Sequence, residues 1–389
     1  MYRILFCLLA IAFPGAVTAA EVELLGQVEI PAAMADLSGE QGTLEGGIPA
    51  NQWGGFGSGI ALLGGSRYAV ISDRGPADGK TAYRCRYHVI DVAVHPKATP
   101  AVQVQLLETH LLSNPNCVPL IGSLKALPDS GDPRGLRFDP EAIRATPRGT
   151  IIISEEYGPS ILEFAANGRQ VGQWPVPRHS LPSHSSSDPN EELPPRNSLG
   201  RQPNRGLECL AVAPDGNTVY ALLQSPLIQD GALDAMNKRV GTNVRLLEVQ
   251  RGSGAMREFL YQLDNPANGC NEIEYLAPGR FLVIERDSKP GNEAAVKKIV
   301  EIDLRDATDI KGIQSLPSTG VPEGVVPVTK RPFLDLLDPR WKLAGEAFPE
   351  KIEGIALGPK SRNGSRILVV TSDNDFLPLP SRFYVFDVR

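Results

Sequence analysis

Carboxylates and guanidinium groups recur at matching points of a repeated pattern in this chain. Asp73 with Arg74, Glu141, Glu155 with Glu156, Glu208, Glu272 with Glu274, Arg286, Glu353, and Asp373 with Asp375 each stand at or beside one end of a short β-rich run, and Arg205 comes just before Glu208. Acids gathered on one surface repel each other and are costly to take out of water, so such a group would raise its own pKa values unless a cation joined it. Oxygen donors of this kind suit a hard divalent ion, Ca²⁺ first and Mg²⁺ as the alternative, rather than zinc or copper. The expected ligand pool is Asp73, Glu141, Glu208, Glu272, Glu274, Glu353, Asp373 and Asp375. Arg74, Arg205 and Arg286 are suited to grip a phosphate or carboxylate through paired N–H donors. Glu155 or Glu156 would serve as the base in a metal-assisted hydrolysis. An acid at a strand end is ordinarily a turn cap, and these arginines could equally be its ion-pair partners. Recurrence at one place in successive repeats favours the functional reading.

Other chemistries fit less well. No GxSxG elbow occurs and no histidine falls in these clusters, which disfavours a Ser-His-Asp hydrolase. The Gly-rich run Gly54–Gly59 lacks the Lys-Ser/Thr of a phosphate loop and precedes a strand, so it reads as a tight entry into the first repeat. His88, His95 and His110, on or beside outer strands, read as surface groups.

The elements that must position the acids are five hairpins. Ser58-Gly59-Ile60-Ala61 leads to Ser72-Asp73-Arg74-Gly75, Glu141-Ala142-Ile143 to Ser154-Glu155-Glu156, and Glu208-Cys209-Leu210 to Leu223-Gln224-Ser225. Glu272-Ile273-Glu274 leads to Glu285-Arg286-Asp287, and Glu353-Gly354-Ile355 to Ser372-Asp373-Asn374-Asp375. Turns such as Gly64-Gly65, Pro214-Asp215-Gly216-Asn217 and Asn363-Gly364 join the two halves, flanked by runs such as Ile151-Ile152-Ile153. The start of one hairpin strand and the end of the next lie at the same end, so every polar cluster faces one rim. Further strands follow most hairpins, which gives an all-β propeller of five or six four-stranded blades. The N-terminal strand, Val22 to Ile30, is expected to close the last blade. Insertions are expected near 109–138, 174–205 and 306–350. The second reads as a lid over the rim or a disordered excursion, and the third holds Phe333–Leu337, the best candidate for a short helix.

Composition bounds the partners. The chain has 389 residues with 38 Gly and 34 Pro, which implies many short elements, and its net charge of −6 disfavours nucleic acid. Residues 1–20 read as a secretory signal peptide, with Arg3, an apolar run and small residues up to Ala19 and Ala20, leaving one mature domain over 21–389. No later stretch is apolar enough to insert in a membrane. The expectation is a periplasmic or secreted monomer acting on a small phosphoester or ester. Outside the cytoplasm the four remaining cysteines suggest disulfides, with Cys85–Cys117 and Cys209–Cys270 the preferred pairs.

A set of motifs carries a family likeness. Gly57-Ser58-Gly59, Ser72-Asp73-Arg74-Gly75, Asp139-Pro140-Glu141-Ala142, Ser154-Glu155-Glu156-Tyr157-Gly158-Pro159, Asn204-Arg205-Gly206-Leu207-Glu208, Glu285-Arg286-Asp287, Lys351-Ile352-Glu353-Gly354 and Ser372-Asp373-Asn374-Asp375 together resemble the phytase-like family, also called esterase-like activity of phytase. The resemblance spans about Leu25 to Val388 and implies a β-propeller whose acids do metal-dependent phosphoesterase work. Gln224-Ser225 departs from the acidic pattern in the third repeat, which argues against a scheme needing an acid from every blade. A calcium-dependent lactonase or carboxylic esterase, and a non-catalytic propeller binding a ligand or protein on the same rim, stay open.

Overall fold

The structure, a computed structural model, describes residues 21–127 and 136–389; the expected signal peptide and part of the 109–138 insertion lie outside them. Twenty strands form five antiparallel sheets of four. In chain order β1 is Val22–Ile30. The first blade holds β2 (Gly59–Gly64), β3 (Arg67–Ile71), β4 (Arg86–Val94) and β5 (Val102–Leu111). The second holds β6 (Pro140–Ala145), β7 (Thr150–Glu155), β8 (Ser160–Ala165) and β9 (Gln170–Trp174). The third holds β10 (Cys209–Val212), β11 (Thr218–Leu222), β12 (Asn243–Gln250) and β13 (Met256–Gln262). The fourth holds β14 (Gly269–Ala277), β15 (Arg280–Arg286), β16 (Lys297–Asp303) and β17 (Thr329–Asp335). The fifth holds β18 (Lys351–Lys360), β19 (Arg366–Asp373) and β20 (Ser381–Val388), completed on the outside by β1.

The first strands of the blades pack in order around an axis, β2 on β6, β6 on β10, β10 on β14, β14 on β18 and β18 on β2. The ring is therefore a propeller of five blades rather than six. The N-terminal strand closes it as expected, with Val22 opposite Val388 and Ile30 opposite Ser381.

The apolar core lies between blades, which is why the inner strands read as unbroken hydrophobic runs rather than alternating ones. Ile71 and Ile153 share the interface of the first and second blades. Ile152, Val219 and Phe281 belong to one cluster running through the second, third and fourth. Ile284 packs with Val370, and Val369 with Val70, across the remaining two interfaces.

Three expectations are corrected here. Residues 333–337 are not helical: Phe333 to Asp335 end β17, the outer strand of blade four, and Pro332 is tolerated because it pairs with Val300 at a sheet edge. His88 is fully buried on β4, its Nδ1 2.9 Å from Thr109 Oγ1 and its Nε2 3.4 Å from Ser72 Oγ, and burial lowers its pKa, so it is a neutral core histidine. The four described cysteines are free thiols. Cys85 is buried with its thiol donating to the Phe138 carbonyl at 3.2 Å, whereas Cys117 is exposed at a loop position with φ of 61°.

The 174–205 insertion is neither lid nor excursion but a packed strap. Arg201, 1% exposed, pairs with Glu192 at 2.5 Å inside the strap and donates to the carbonyls of Glu156 at 3.0 Å and Tyr157 at 2.5 Å on the second blade.

Candidate functional site

The hairpin geometry gathers the polar clusters at one mouth of the ring, around a cavity of about 130 Å³. Asp73, Arg74, Glu141, Glu156, Arg205, Glu208, Arg286 and Glu353 line it, all expected from the sequence; Gln224, Asn271 and Lys351 line it as well. Two glycines let the walls close. A Cβ on Gly57, at the entry to β2, would stand 2.2 Å from the Ser372 carbonyl oxygen, and one on Gly206 would stand 2.7 Å from that of Glu156.

Electrostatics divides the cavity. On one wall Asp139, Glu141 and Glu156 bring carboxylate oxygens within 4.8 Å of one another. Asp139 accepts from the Arg74 backbone N–H at 3.0 Å and from its guanidinium at 2.7 Å. Glu156 Oε1 accepts from the Gly206 N–H at 2.9 Å, while its Oε2 lies 3.7 Å from Arg74, beyond hydrogen-bonding distance. Glu208 Oε1 accepts from the Gln224 amide and, at 3.4 Å, from Asn271 Nδ2. Burial, and then the neighbouring acids, push Glu141 and Glu208 well above the usual carboxylate range, and burial pushes Asp139 up to about 8.

Three buried acceptors are left with no partner: Glu156 Oε2, Glu208 Oε2 and Asn271 Oδ1. An unsatisfied buried oxygen costs roughly 1–3 kcal/mol, more when charged, so three of them beside one cavity mark a place for an electrophile.

The cations are unevenly paired. Arg286 donates to Glu353 at 2.5 Å. Arg205 makes no ion pair among the described residues; its guanidinium donates to the neutral Gln224 Oε1 at 2.6 Å, and burial, aided by Arg239, lowers its pKa to about 10. Asp73, which lines the cavity, joins Asp373 and Asp375 in a second acidic group with Lys351 among them.

Of the expected site residues outside the cavity lining, Asp373 and Asp375 belong to the second acidic group and three stand apart from both groups. Glu155 is fully buried and spends its oxygens on the Tyr157 N–H at 2.7 Å, the Gly158 N–H at 3.1 Å and the Ser160 hydroxyl at 3.2 Å, so it caps the loop after β7. Glu272 and Glu274 lie deeper, in the channel between the inner strands. There Arg144, 2.9 Å from Glu272 and 3.2 Å from Glu274, also donates to the carbonyls of Ile60, Ile143 and Ile273. A β-bulge between Cys270 and Glu272 gives Asn271, not either glutamate, the rim position.

The matched family model is the one described as phytase-like, esterase-like activity of phytase, over residues 51–376. A relative described as an uncharacterised secreted protein of Arthroderma benhamiae is 27% identical, the match covering 51% of this chain and 48% of that one, so the chain matches about half that relative's length. Similar solved structures include the periplasmic gluconolactonase PpgL of Pseudomonas aeruginosa, 10% identical with a TM-score of 0.37 over 92% of this chain and 93% of that one. A gluconolactonase of Xanthomonas campestris is 11% identical with a TM-score of 0.35 over 96% and 92%. Likeness at that level carries no argument about activity. No helix among the described residues is long and apolar enough to cross a membrane.

Proposed function

Because the chain belongs to the phytase-like family, we propose that it is an exported, divalent-cation-dependent hydrolase whose substrate is a small phosphoester. The observation that supports this is the placing of three unsatisfied buried oxygens, on Glu156, Glu208 and Asn271, in one cavity with three guanidinium groups.

The donor set fits a hard cation. The candidate ligands are all oxygens, from Glu141, Glu208 and the Asn271 side-chain carbonyl, with no sulfur or imidazole among the cavity residues. When bound, the cation supplies electrophilic polarisation of an ester oxygen.

The protein's own groups do the rest. Arg74 is held by Asp139, which fixes the guanidinium against the cavity wall. Arg205 makes no ion pair among the described residues and is available to an incoming anion, and Arg286 lines the cavity as well while tied to Glu353. Guanidinium groups converging in this way suit the oxygens of a phosphoryl group better than a neutral lactone carbonyl. Glu156, with one oxygen fixed by Gly206 and the other free, is the group placed to take a proton from an attacking water. Glu155, with every oxygen spent on its own loop, is not.

The test is a calcium titration of the mature protein, following thermal stability together with hydrolysis of matched chromogenic phosphate and carboxylate esters. Calcium-dependent phosphate release, lost in Glu141→Gln and Glu208→Gln, is expected. Preferential cleavage of the carboxylate ester would turn the reading towards a lactonase or esterase. Neither stabilisation nor turnover would leave a ligand-binding propeller.

A further inference from the structure

Two acidic groups adjoin the cavity, one lending Glu141 and Glu156 to its lining and the other Asp73, and they differ in what already neutralises them. In the group of Asp139, Glu141 and Glu156 the ion pairs come from Arg74, and Glu156 Oε2 remains without a hydrogen-bond partner, as does Glu208 Oε2. In the group of Asp73, Asp373 and Asp375 an ammonium is already seated. Lys351 Nζ is ion-paired with Asp375 and lies 3.8 Å from Asp373 Oδ2. Further oxygens of this group are engaged too: Asp73 Oδ1 accepts from the Gly75 N–H at 2.9 Å, and Asp373 from the Asp375 N–H at 3.0 Å and the Ser58 hydroxyl at 3.4 Å. No buried oxygen of these three residues lacks a partner.

The seat is also fixed from behind. Lys351 is the first residue of β18, opposite Asp373 at the end of β19, so backbone pairing sets the ammonium against the acids. Its side chain is only 22% exposed, and it stays on the cavity wall beside Glu353.

We infer that Lys351 is a built-in cation occupying what would otherwise be a second metal position, so that the protein takes one divalent ion and not two. The inference rests on the cation-dependent reading above and deepens it. The sequence-level ligand pool then splits: Glu141 and Glu208 face the exchangeable ion, and Asp73, Asp373 and Asp375 face a tethered one. A tethered ammonium carries one charge and no exchangeable coordination position, so it steadies an anion in the cavity without competing for the ester oxygen. It also keeps this wall charged when the divalent ion is removed by a chelator.

The experiment counts calcium by equilibrium dialysis and calorimetry on the mature protein, for wild type, Lys351→Met and Lys351→Arg. One ion per chain is expected in wild type and in Lys351→Arg, and two in Lys351→Met, the second lost again when Asp373→Asn is added. One ion in both wild type and Lys351→Met overturns the inference while leaving the cation-dependent reading intact. Two ions in wild type also overturn it, and that count stands even if Lys351→Met does not fold. No ion in wild type removes the cation-dependent reading and this inference together.

Discussion

Arginines buried among glutamates occur both in the channel and at the mouth, and the two places use them in opposite ways. In the channel, Arg144 spends its guanidinium on Glu272, Glu274 and backbone carbonyls of β2, β6 and β14. Acid and base are matched there, and the cluster joins the inner strands of three blades. At the mouth, Arg205 has only neutral hydrogen-bond partners among the described residues, while Glu156 and Glu208 each keep an oxygen with no hydrogen bond. The same residue types are structural where each acid is paired with a base and available for chemistry where acceptors are left over.

Breaking the channel cluster should have the largest effect. Arg144→Met strands the buried Glu272 carboxylate and the half-buried one of Glu274 and is expected to cost about 3–5 kcal/mol, read as a lower denaturation midpoint that calcium does not restore. An unchanged midpoint would show that the channel pairs are not structural.

At the mouth the sign reverses. Glu208→Gln removes a charge that its neighbours oppose, so the metal-free protein should be no less stable, while turnover falls on the order of 100-fold, the scale of losing one preorganised charge from a dry site. A large loss of stability without calcium would place Glu208 with the structural acids.

The pH dependence sharpens the contrast. Burial raises Asp73 and Asp139 to about 8, opposed in each case by a cation, Lys351 and Arg74 respectively. Folded pKa values above the unfolded ones mean the folded state binds protons more tightly. Stability of the metal-free protein is therefore highest below about pH 4 as far as these two groups decide it, and declines as pH rises towards 8. Saturating calcium should flatten that decline in a series of thermal melts, and parallel curves with and without calcium would contradict it.

Arg201→Met tests the strap. With its hold on the Glu156 and Tyr157 carbonyls gone, kcat should fall about 10-fold with KM little changed, because the group that moves is the proposed base rather than an anion holder. The smallest effect is expected at the cysteines. Reductant should leave the melting temperature unchanged, and Cys117→Ser should shift stability by less than about 0.5 kcal/mol, as for other exposed substitutions.

The hairpins were legible in the sequence because a turn and two apolar runs are local signals. The rim was legible because antiparallel pairing fixes which ends meet. What remained hidden depended on register. Glu155 and Glu156 are adjacent and diverge at the end of β7, one into its own loop and one into the cavity. The bulge in β14 shifts the rim position from Glu272 to Asn271. Arg144 reads as an unremarkable charge within β6, since nothing near it in sequence reveals that this face turns towards the axis. The likeness to the phytase-like family marked the Asp139 and Lys351 segments without saying what either side chain does.

The pairing of β1 with β20 also has a temporal side. Among the described residues, β1, the first strand in chain order, has its sheet neighbour in β20, the last in that order. A nascent chain can build its middle blades as they emerge, but the ring stays open until the eight residues Ser381–Val388 arrive. Closure therefore waits for β20, and a chain stopped short of that strand would leave β1 and β19 with unpaired edges and the mouth without its fixed circumference.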